Sequence, residues 1–156
     1  MSNPGNSILQ RITKYCADAE RSTHDALSKL ISWGVPPDET EIILAKLRTE
    51  KFLDDQRFAK SYVTEKWNLD KWGRLKIENA LQQKNIDPAI IHETLSIITE
   101  EEYLQGLNEL LEKKYKEVKS NNPMDDARRI MMFALSRGFE EELIQEWLEK
   151  EEFDSR

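Results

Sequence analysis

The stretch "FLDDQRFAKSYV", residues 52–63, places two adjacent acids, Asp54 and Asp55, directly before apolar residues at helical spacing. Paired carboxylates occur in catalytic and metal sites, so their arrangement decides between an enzyme and a structural element. Successive residues of an α-helix point about 100° apart, so these neighbours cannot easily share one site. Asp54 is instead placed as an N-cap, and Asp55 adds favourable charge to the first turn. The stretch therefore predicts the start of a helix.

Apolar residues recur at spacings of three and four along almost the whole chain, and no segment alternates as a half-buried strand does. Gly and Pro occur only five times each, which favours long regular segments. The pattern predicts an all-α protein. The predicted helices lie near residues 7–19, 22–33, 38–51, 55–68, 73–84, 88–98, 100–119, 124–137 and 140–151.

Three helix-ending signals repeat at intervals of about fifty residues. In each, Gly or Asn, which tolerate the left-handed conformation, precedes an apolar residue. The three pairs are Gly34-Val35, Asn85-Ile86 and Gly138-Phe139. Equivalent apolar residues stand before them, at Leu30, Leu81 and Ala134. The chain is thus predicted to contain three tandem three-helix repeats, at 1–53, 54–98 and 99–156.

A three-helix unit of this size buries little surface by itself, so neighbouring repeats are expected to cover one another. We therefore expect the repeats to stack into an elongated, curved, solenoid-like domain. The alternative is a compact nine-helix globule. No apolar run reaches the roughly 18 residues of a membrane span, and the N-terminus lacks an apolar signal core. The single cysteine, Cys16, lies in an apolar helical pattern, which predicts a buried residue in a cytoplasmic protein.

The net charge of −7 is unevenly distributed. Residues 51–86 hold eight bases and five acids, a net charge of +3, whereas residues 87–156 hold nine bases and eighteen acids, a net charge of −9. The basic segment contains "KWGR", residues 71–74, with bases interleaved among tryptophans. Such a pattern suits a phosphate backbone with stacking on unpaired bases, or else a solvated face over packed tryptophans. The candidate contact residues are Arg57, Lys60, Lys66, Lys71, Trp72, Arg74 and Lys76.

Other chemistry has little support in the sequence. His24 and His92 lie in different repeats without the spacing of metal ligands. The chain lacks a phosphate-binding glycine loop, a nucleophile elbow and a helical His-Glu metal motif. We therefore expect a non-enzymatic protein without metal or cofactor.

The sequence resembles the RecX family of recombinase regulators, closely from about residue 13 to 98 and weakly beyond. The matching motifs are Tyr15-Cys16, Ser22, Gly34-Val35, the block from Leu53 to Val63, Gly73-Arg74-Leu75-Lys76-Ile77 and Lys84-Asn85-Ile86. The resemblance implies three three-helix repeats in a cytoplasmic protein that binds the RecA–single-stranded-DNA filament and inhibits RecA's ATPase and strand exchange. We expect a monomer.

The chain departs from the family pattern in its acidity, with a pI near 5.0, and in Asn85, which replaces the usual glycine. The strongly acidic third repeat favours protein contacts to RecA, with DNA contact limited to the middle repeat. Two alternative functions remain from the sequence: an adaptor whose acidic units bind another, basic partner, and an independent DNA-binding module.

Overall fold

The computed structural model describes residues 4–151, with side chains from residue 7 onward. Within this range the helical periodicity of the sequence corresponds to nine α-helices. No strand occurs in that range. The helices are α1 (Pro4–Asp18), α2 (Thr23–Ser32), α3 (Pro37–Thr49), α4 (Asp55–Asn68), α5 (Arg74–Gln83), α6 (Pro88–Leu95), α7 (Glu100–Val118), α8 (Pro123–Ser136) and α9 (Glu141–Lys150). All nine predicted helices are present, with small shifts at their ends.

The three repeated helix-ending signals adopt the same turn. Gly34, Asn85 and Gly138 have φ angles of 80°, 56° and 93°, in the left-handed region. The apolar residue that follows is buried, and its amide donates to the carbonyl of the residue five positions earlier. These bonds join Val35 to Leu30 (3.1 Å), Ile86 to Leu81 (3.2 Å) and Phe139 to Ala134 (3.1 Å). The equivalence predicted from spacing is therefore confirmed at the level of hydrogen bonds.

The described chain forms two compact units. The first contains the residues up to Tyr62 together with Leu81–Thr94. Helix α2 packs against both α1 and α3, and the three helices share one apolar core. The core residues are Ile12, Cys16, Ala26, Leu30, Val35, Leu44, Leu47 and Leu53. The prediction of a buried Cys16 is confirmed, and burial raises the pKa of its thiol.

The second compact unit contains Val63–Ala80 and the residues from Leu95 onward. Helix α8 packs against both α7 and α9. The largest side chains buried there include Tyr103, Leu111, Ile130, Phe139 and Ile144. The limits of the three predicted repeats stay a prediction, and residues 1–3 and 152–156 at their outer ends lie outside the described residues.

The adjacent acids of the opening stretch cap two different helices. The Asp54 carboxylate accepts a hydrogen bond from the backbone N–H of Arg57 (3.0 Å), which makes it the N-cap of α4. The Asp55 carboxylate accepts from the N–H of Thr23 (2.8 Å), at the start of α2. The structural interpretation of Asp54 is confirmed, and Asp55 does more than supply charge to its own helix.

Candidate nucleic-acid interface

The seven predicted contact residues divide between the two units. Arg57 and Lys60 lie in the first unit, and the other five, from Lys66 to Lys76, lie in the second. We call Lys66, Lys71, Trp72 and Lys76 the lysine–tryptophan cluster. Its centre is the half-buried Trp72, which has the ammonium nitrogens of Lys66 and Lys76 at 4.7 and 4.4 Å from its ring centroid. Both distances fall within the roughly 6 Å range of cation–π attraction.

The turn between α4 and α5 sets the position of this cluster. Lys71 is exposed and adopts a positive φ of 54°, which reverses the chain after α4. The N–H of Trp72 then donates to the carbonyl of Lys66 (3.0 Å), closing the turn. Lys66 also forms an ion pair with Asp70 (3.2 Å) on the same turn. The cations are therefore held near the aromatic ring by the backbone as well as by cation–π contacts.

The two tryptophans near this turn have different roles, which the sequence left open. Trp67 is 8% exposed and packs on Tyr103 and Phe139, with ring centroids 5.3 and 6.3 Å away. A Cβ added to Gly106 of α7 would lie 2.5 Å from the Trp67 ring, so α7 packs closely against this side chain. Trp67 is thus a core residue whose ring Lys71 also approaches (5.6 Å from ammonium to centroid), whereas Trp72 faces Lys66 and Lys76.

Gly73 joins this turn to the α8–α9 turn. Its N–H donates to the carbonyl of Arg137 (2.6 Å), and the N–H of Leu75 donates to the carbonyl of Gly138 (3.0 Å). A Cβ on Gly73 would lie 2.4 Å from the carbonyl carbon and oxygen of Gly138, so only glycine fits. Because these amides at the start of α5 already have partners, they are not open to a phosphate.

Arg74 lies at the centre of an ion-pair network inside the second unit. Its guanidinium contacts Glu100 and Glu140, each at 2.8 Å, and lies 3.8 Å from the centroid of the Tyr103 ring. The Tyr103 hydroxyl accepts from the N–H of Arg74 (3.0 Å) and donates to Glu140 (2.5 Å). A contact with a partner stays a prediction for Arg74, while its role in joining α5, α7 and α9 follows from these bonds.

The network shifts the proton affinities of its members. Burial raises the pKa of the Tyr103 hydroxyl, and the hydrogen bond to Glu140 raises it further. The hydrogen bond from Arg74, followed by the charge of that guanidinium, lowers the pKa of Glu100. Burial alone would lower the pKa of Arg74, but Glu100 and Glu140 outweigh it and raise that pKa. The network is therefore a neutral phenol beside a charged arginine and two carboxylates.

In the first unit, Arg57 also has structural partners. Its guanidinium pairs with Glu20 (2.8 Å) and donates to the carbonyls of Lys51 (3.1 Å) and Phe52 (3.4 Å), just after α3. Lys60 is exposed on α4. These two residues belong to a different compact unit from the lysine–tryptophan cluster, and their role in contacting a partner stays a prediction.

A second cationic cluster was missed by the sequence analysis. Lys114 and Arg137 lie 4.6 and 5.2 Å from the centroid of the Phe133 ring, beside a pocket of about 230 Å³ that Lys113 also lines. We call Lys113, Lys114, Phe133 and Arg137 the Phe133 cluster. The available signal was four lysines within residues 113–119, which the −9 net charge of the surrounding segment concealed.

Among the described residues, no group of three or more His, Cys, Asp or Glu side chains is placed to hold a metal ion. Of the helices in the described range, none combines the length and the apolar character that crossing a membrane requires.

Two stretches of the chain match models of a known protein family. Residues 54–95 match the family model of the RecX second three-helix domain, and residues 100–148 match that of the RecX third three-helix domain. The regulatory protein RecX of Clostridium tetani is 32% identical over 130 residues, covering 81% of this chain and 58% of that protein. That of Geobacillus kaustophilus is 26% identical over 135 residues, covering 86% and 50%. The chain spans about half the length of the curated relatives it matches.

Two solved structures have the same fold. A crystal structure of regulatory protein RecX has a TM-score of 0.82 at 25% identity, covering 90% of this chain and 70% of that one. The crystal structure of RecX from Lactobacillus salivarius also has a TM-score of 0.82, at 22% identity, covering 94% and 95%. These matches confirm the all-α, three-helix repeat fold, and the named relatives are regulatory proteins rather than enzymes. The chain belongs to the RecX family.

Proposed function

We propose that this protein is a non-enzymatic regulator of the RecA recombinase. In this proposal it acts in the cytoplasm as a monomer, binds the RecA–single-stranded-DNA filament, and inhibits ATP hydrolysis and strand exchange by RecA. The support is membership of the RecX family together with one observation, the lysine–tryptophan cluster. No cofactor or metal is needed for an effect that depends only on binding.

The geometry of the cluster suits an unpaired strand. Lys66 and Lys76 are held beside the ring of Trp72, and the exposed Lys71 projects from the same turn. Ammonium groups fixed in this way can neutralise successive phosphates and release counterions. When a lysine leaves the ring for a phosphate, the ring becomes available to stack on a base. The cluster therefore supplies a contact to DNA, and other surfaces of the protein contact RecA.

The test is RecA-driven ATP hydrolysis on single-stranded DNA with RecA from the same organism. The protein should inhibit hydrolysis, and Lys71→Glu with Lys76→Glu should raise the concentration needed for half-inhibition by about tenfold, because two phosphate contacts become repulsive. A matched control reverses Lys46 and Lys150, which are exposed outside the cluster and give the same change in net charge. The absence of inhibition at saturating protein would refute the proposal.

A second candidate function is an independent DNA-binding module, which two cation–aromatic clusters in one unit also favour. In that case the protein should bind single-stranded DNA without RecA, with affinity that falls steeply with salt, and should leave RecA's ATPase unchanged on DNA in excess.

A further inference from the structure

The Phe133 cluster shares the chemistry of the lysine–tryptophan cluster. In each, two cations lie within 5.2 Å of the centroid of a half-buried aromatic ring. The pocket beside Phe133 is lined by Leu110, Lys113, Lys114, Glu117, Phe133 and Arg137. It combines three cations and one acid with an aromatic and an aliphatic surface.

The two clusters are joined by direct contacts within the second unit. The guanidinium of Arg137 donates to the backbone carbonyl of Asp70 (2.8 Å), and the side chain of Asp70 pairs with Lys66. The carbonyl of Arg137 accepts from the N–H of Gly73, the residue after Trp72. Arg137 of the Phe133 cluster therefore contacts the same turn that carries the lysine–tryptophan cluster.

The carboxylates near these cations are held weakly. Glu117 pairs with Lys114 at 3.5 Å along α7, and Asp70, two residues beyond the end of α4, pairs with Lys66 at 3.2 Å. Their side chains are 56% and 43% exposed. Such exposed pairs contribute little, so a phosphate can replace either carboxylate without a large cost.

The helix dipole does not explain the position of these lysines. Helix α7 ends at Val118 and its last turn holds Lys116, which suits the negative end of the dipole. Lys113 and Lys114 lie one turn earlier, where that effect has already declined. Lys114 approaches the Phe133 ring and Lys113 lines the adjacent pocket, and the dipole accounts for neither position.

We propose that the Phe133 cluster is a second subsite for single-stranded DNA, which continues the strand from the lysine–tryptophan cluster. A pocket of about 230 Å³ is smaller than the roughly 300 Å³ at which sites for whole small molecules begin, so it accommodates part of one nucleotide. Lys113, Lys114 and Arg137 contact phosphates, and Phe133 contacts an unpaired base. Duplex DNA fits less well because its bases are already stacked on each other.

This inference rests on the DNA-contacting part of the proposed function, and it is tested without RecA. Binding of the whole protein to a labelled oligothymidine is measured by fluorescence anisotropy between about 50 and 200 mM NaCl. Lys113→Glu with Lys114→Glu should weaken binding about tenfold and reduce the slope of log affinity against log salt by about 1.4, since each lost phosphate contributes about 0.7 for a single strand. Phe133→Leu should weaken binding and leave the slope unchanged, because it removes stacking but no charge.

The matched control is Arg128→Glu with Lys150→Glu, which changes the net charge equally at exposed positions outside both clusters. Binding by this control within twofold of wild type supports a local site, whereas equal losses in both double variants would overturn it. Unchanged binding by the Lys113/Lys114 variant, or no binding by wild type at the lowest salt, would also overturn it. If the Lys113/Lys114 variant keeps its DNA affinity but loses inhibition in the separate RecA assay, the DNA subsite is overturned and the cluster is assigned to an acidic protein segment. Circular dichroism verifies that each variant is folded.

Discussion

At the scale of single residues, several bases of the middle segment pair with acids from the segments on either side. Arg57 contacts Glu20 and Lys84 contacts Asp25 in the first unit, at 2.8 and 2.5 Å. In the second unit, Arg74 contacts Glu100 and Glu140. Bases of the middle segment and individual acids of the two flanking segments are therefore complementary inside each unit. This accounts for part of the charge asymmetry without any partner.

Replacing Arg74 tests the strength of its network. Arg74→Gln should lower the free energy of unfolding by about 2 kcal/mol, because Glu140 would remain partly buried without its cation. Arg74→Lys should recover little of this loss, since lysine cannot contact two carboxylates in the planar geometry of arginine. Urea denaturation followed by circular dichroism measures both.

The control for Arg74 is Arg128→Gln, which removes the pair with Asp125 (2.8 Å) from an exposed helix surface. Its cost should be about 0.5 kcal/mol or less. Similar urea midpoints for the Arg74 and Arg128 variants would show that the network contributes no more than a surface pair.

At the scale of elements, the same helix-ending turn occurs in three different surroundings. A Cβ on Gly34 would meet no atom within 4 Å. A Cβ on Gly138 would lie 2.3 Å from the Cβ of Lys76 and 2.6 Å from its backbone nitrogen. Asn85 adopts the same left-handed conformation with a side chain present. Backbone conformation alone thus permits a side chain, and the close approach to α5 is what excludes one at Gly138.

Two alanine substitutions separate these effects. Gly34→Ala should cost about 1 kcal/mol, the strain of a left-handed residue that has a Cβ. Gly138→Ala should cost about 3 kcal/mol or more, because the clash with Lys76 adds to that strain. Thermal denaturation of the pair is the measurement, and equal losses of stability would contradict the close packing of the α8–α9 turn on α5.

Much of the helical layout follows from the sequence because its signals are local. Periodic apolar residues, N-cap acids and Gly or Asn turns each act within a few residues. The partners of charged side chains do not follow, because they lie far away in the chain: Asp55 caps α2 across 32 residues, and Arg74 reaches Glu140 across 66. The left-handed Lys51 and Lys71 also gave no signal, since lysine rarely adopts that conformation.

The candidate site was predictable only in part, for the same reason. Bases interleaved with tryptophans located Lys66, Lys71, Trp72 and Lys76. Averaging charge over a long segment concealed the Phe133 cluster, which is assembled from α7 and α8. Sequence alone also could not separate Trp72 from Trp67, because burial depends on the distant Tyr103 and Phe139.

At the scale of the whole molecule, carboxylates with lowered pKa values make stability depend on pH. Hydrogen bonds from Ser120 lower the pKa of Asp126, and Arg74 lowers that of Glu100. Burial alone would raise the pKa of Asp25, but hydrogen bonds from Lys84 and Ser22 outweigh it and lower that pKa. A carboxylate of this kind stabilises the fold above its unfolded pKa, 3.8 for an aspartate, and loses that contribution as pH falls through its lower folded pKa.

The unfolding free energy should therefore be nearly constant from pH 7 to about pH 5 and fall below about pH 4. Asp25→Asn should be less stable than wild type by about 1 kcal/mol at pH 7, with the difference shrinking at pH 3, where Asp25 of the wild type begins to protonate. Urea denaturation at both pH values measures the difference.

Lys84→Met keeps the apolar stem of lysine but removes the cation. Its difference in unfolding free energy from wild type should also be smaller at pH 3 than at pH 7. If Asp25→Asn lowers the free energy of unfolding equally at pH 7 and at pH 3, then the pKa of Asp25 is not lower in the folded protein than in the unfolded chain.

The ion pairs that join the middle segment to its neighbours have a consequence for how such chains can be rearranged. Residues 54–98 carry Arg57, Arg74 and Lys84, whereas the acids they contact lie in the flanking segments. Transplanting the middle segment into another repeat protein, or duplicating it in place, would separate these bases from their acids. Although the three repeats share one sequence pattern, ion pairs join the middle repeat to both of its neighbours. A repeat therefore cannot be moved or duplicated without the loss of these pairs.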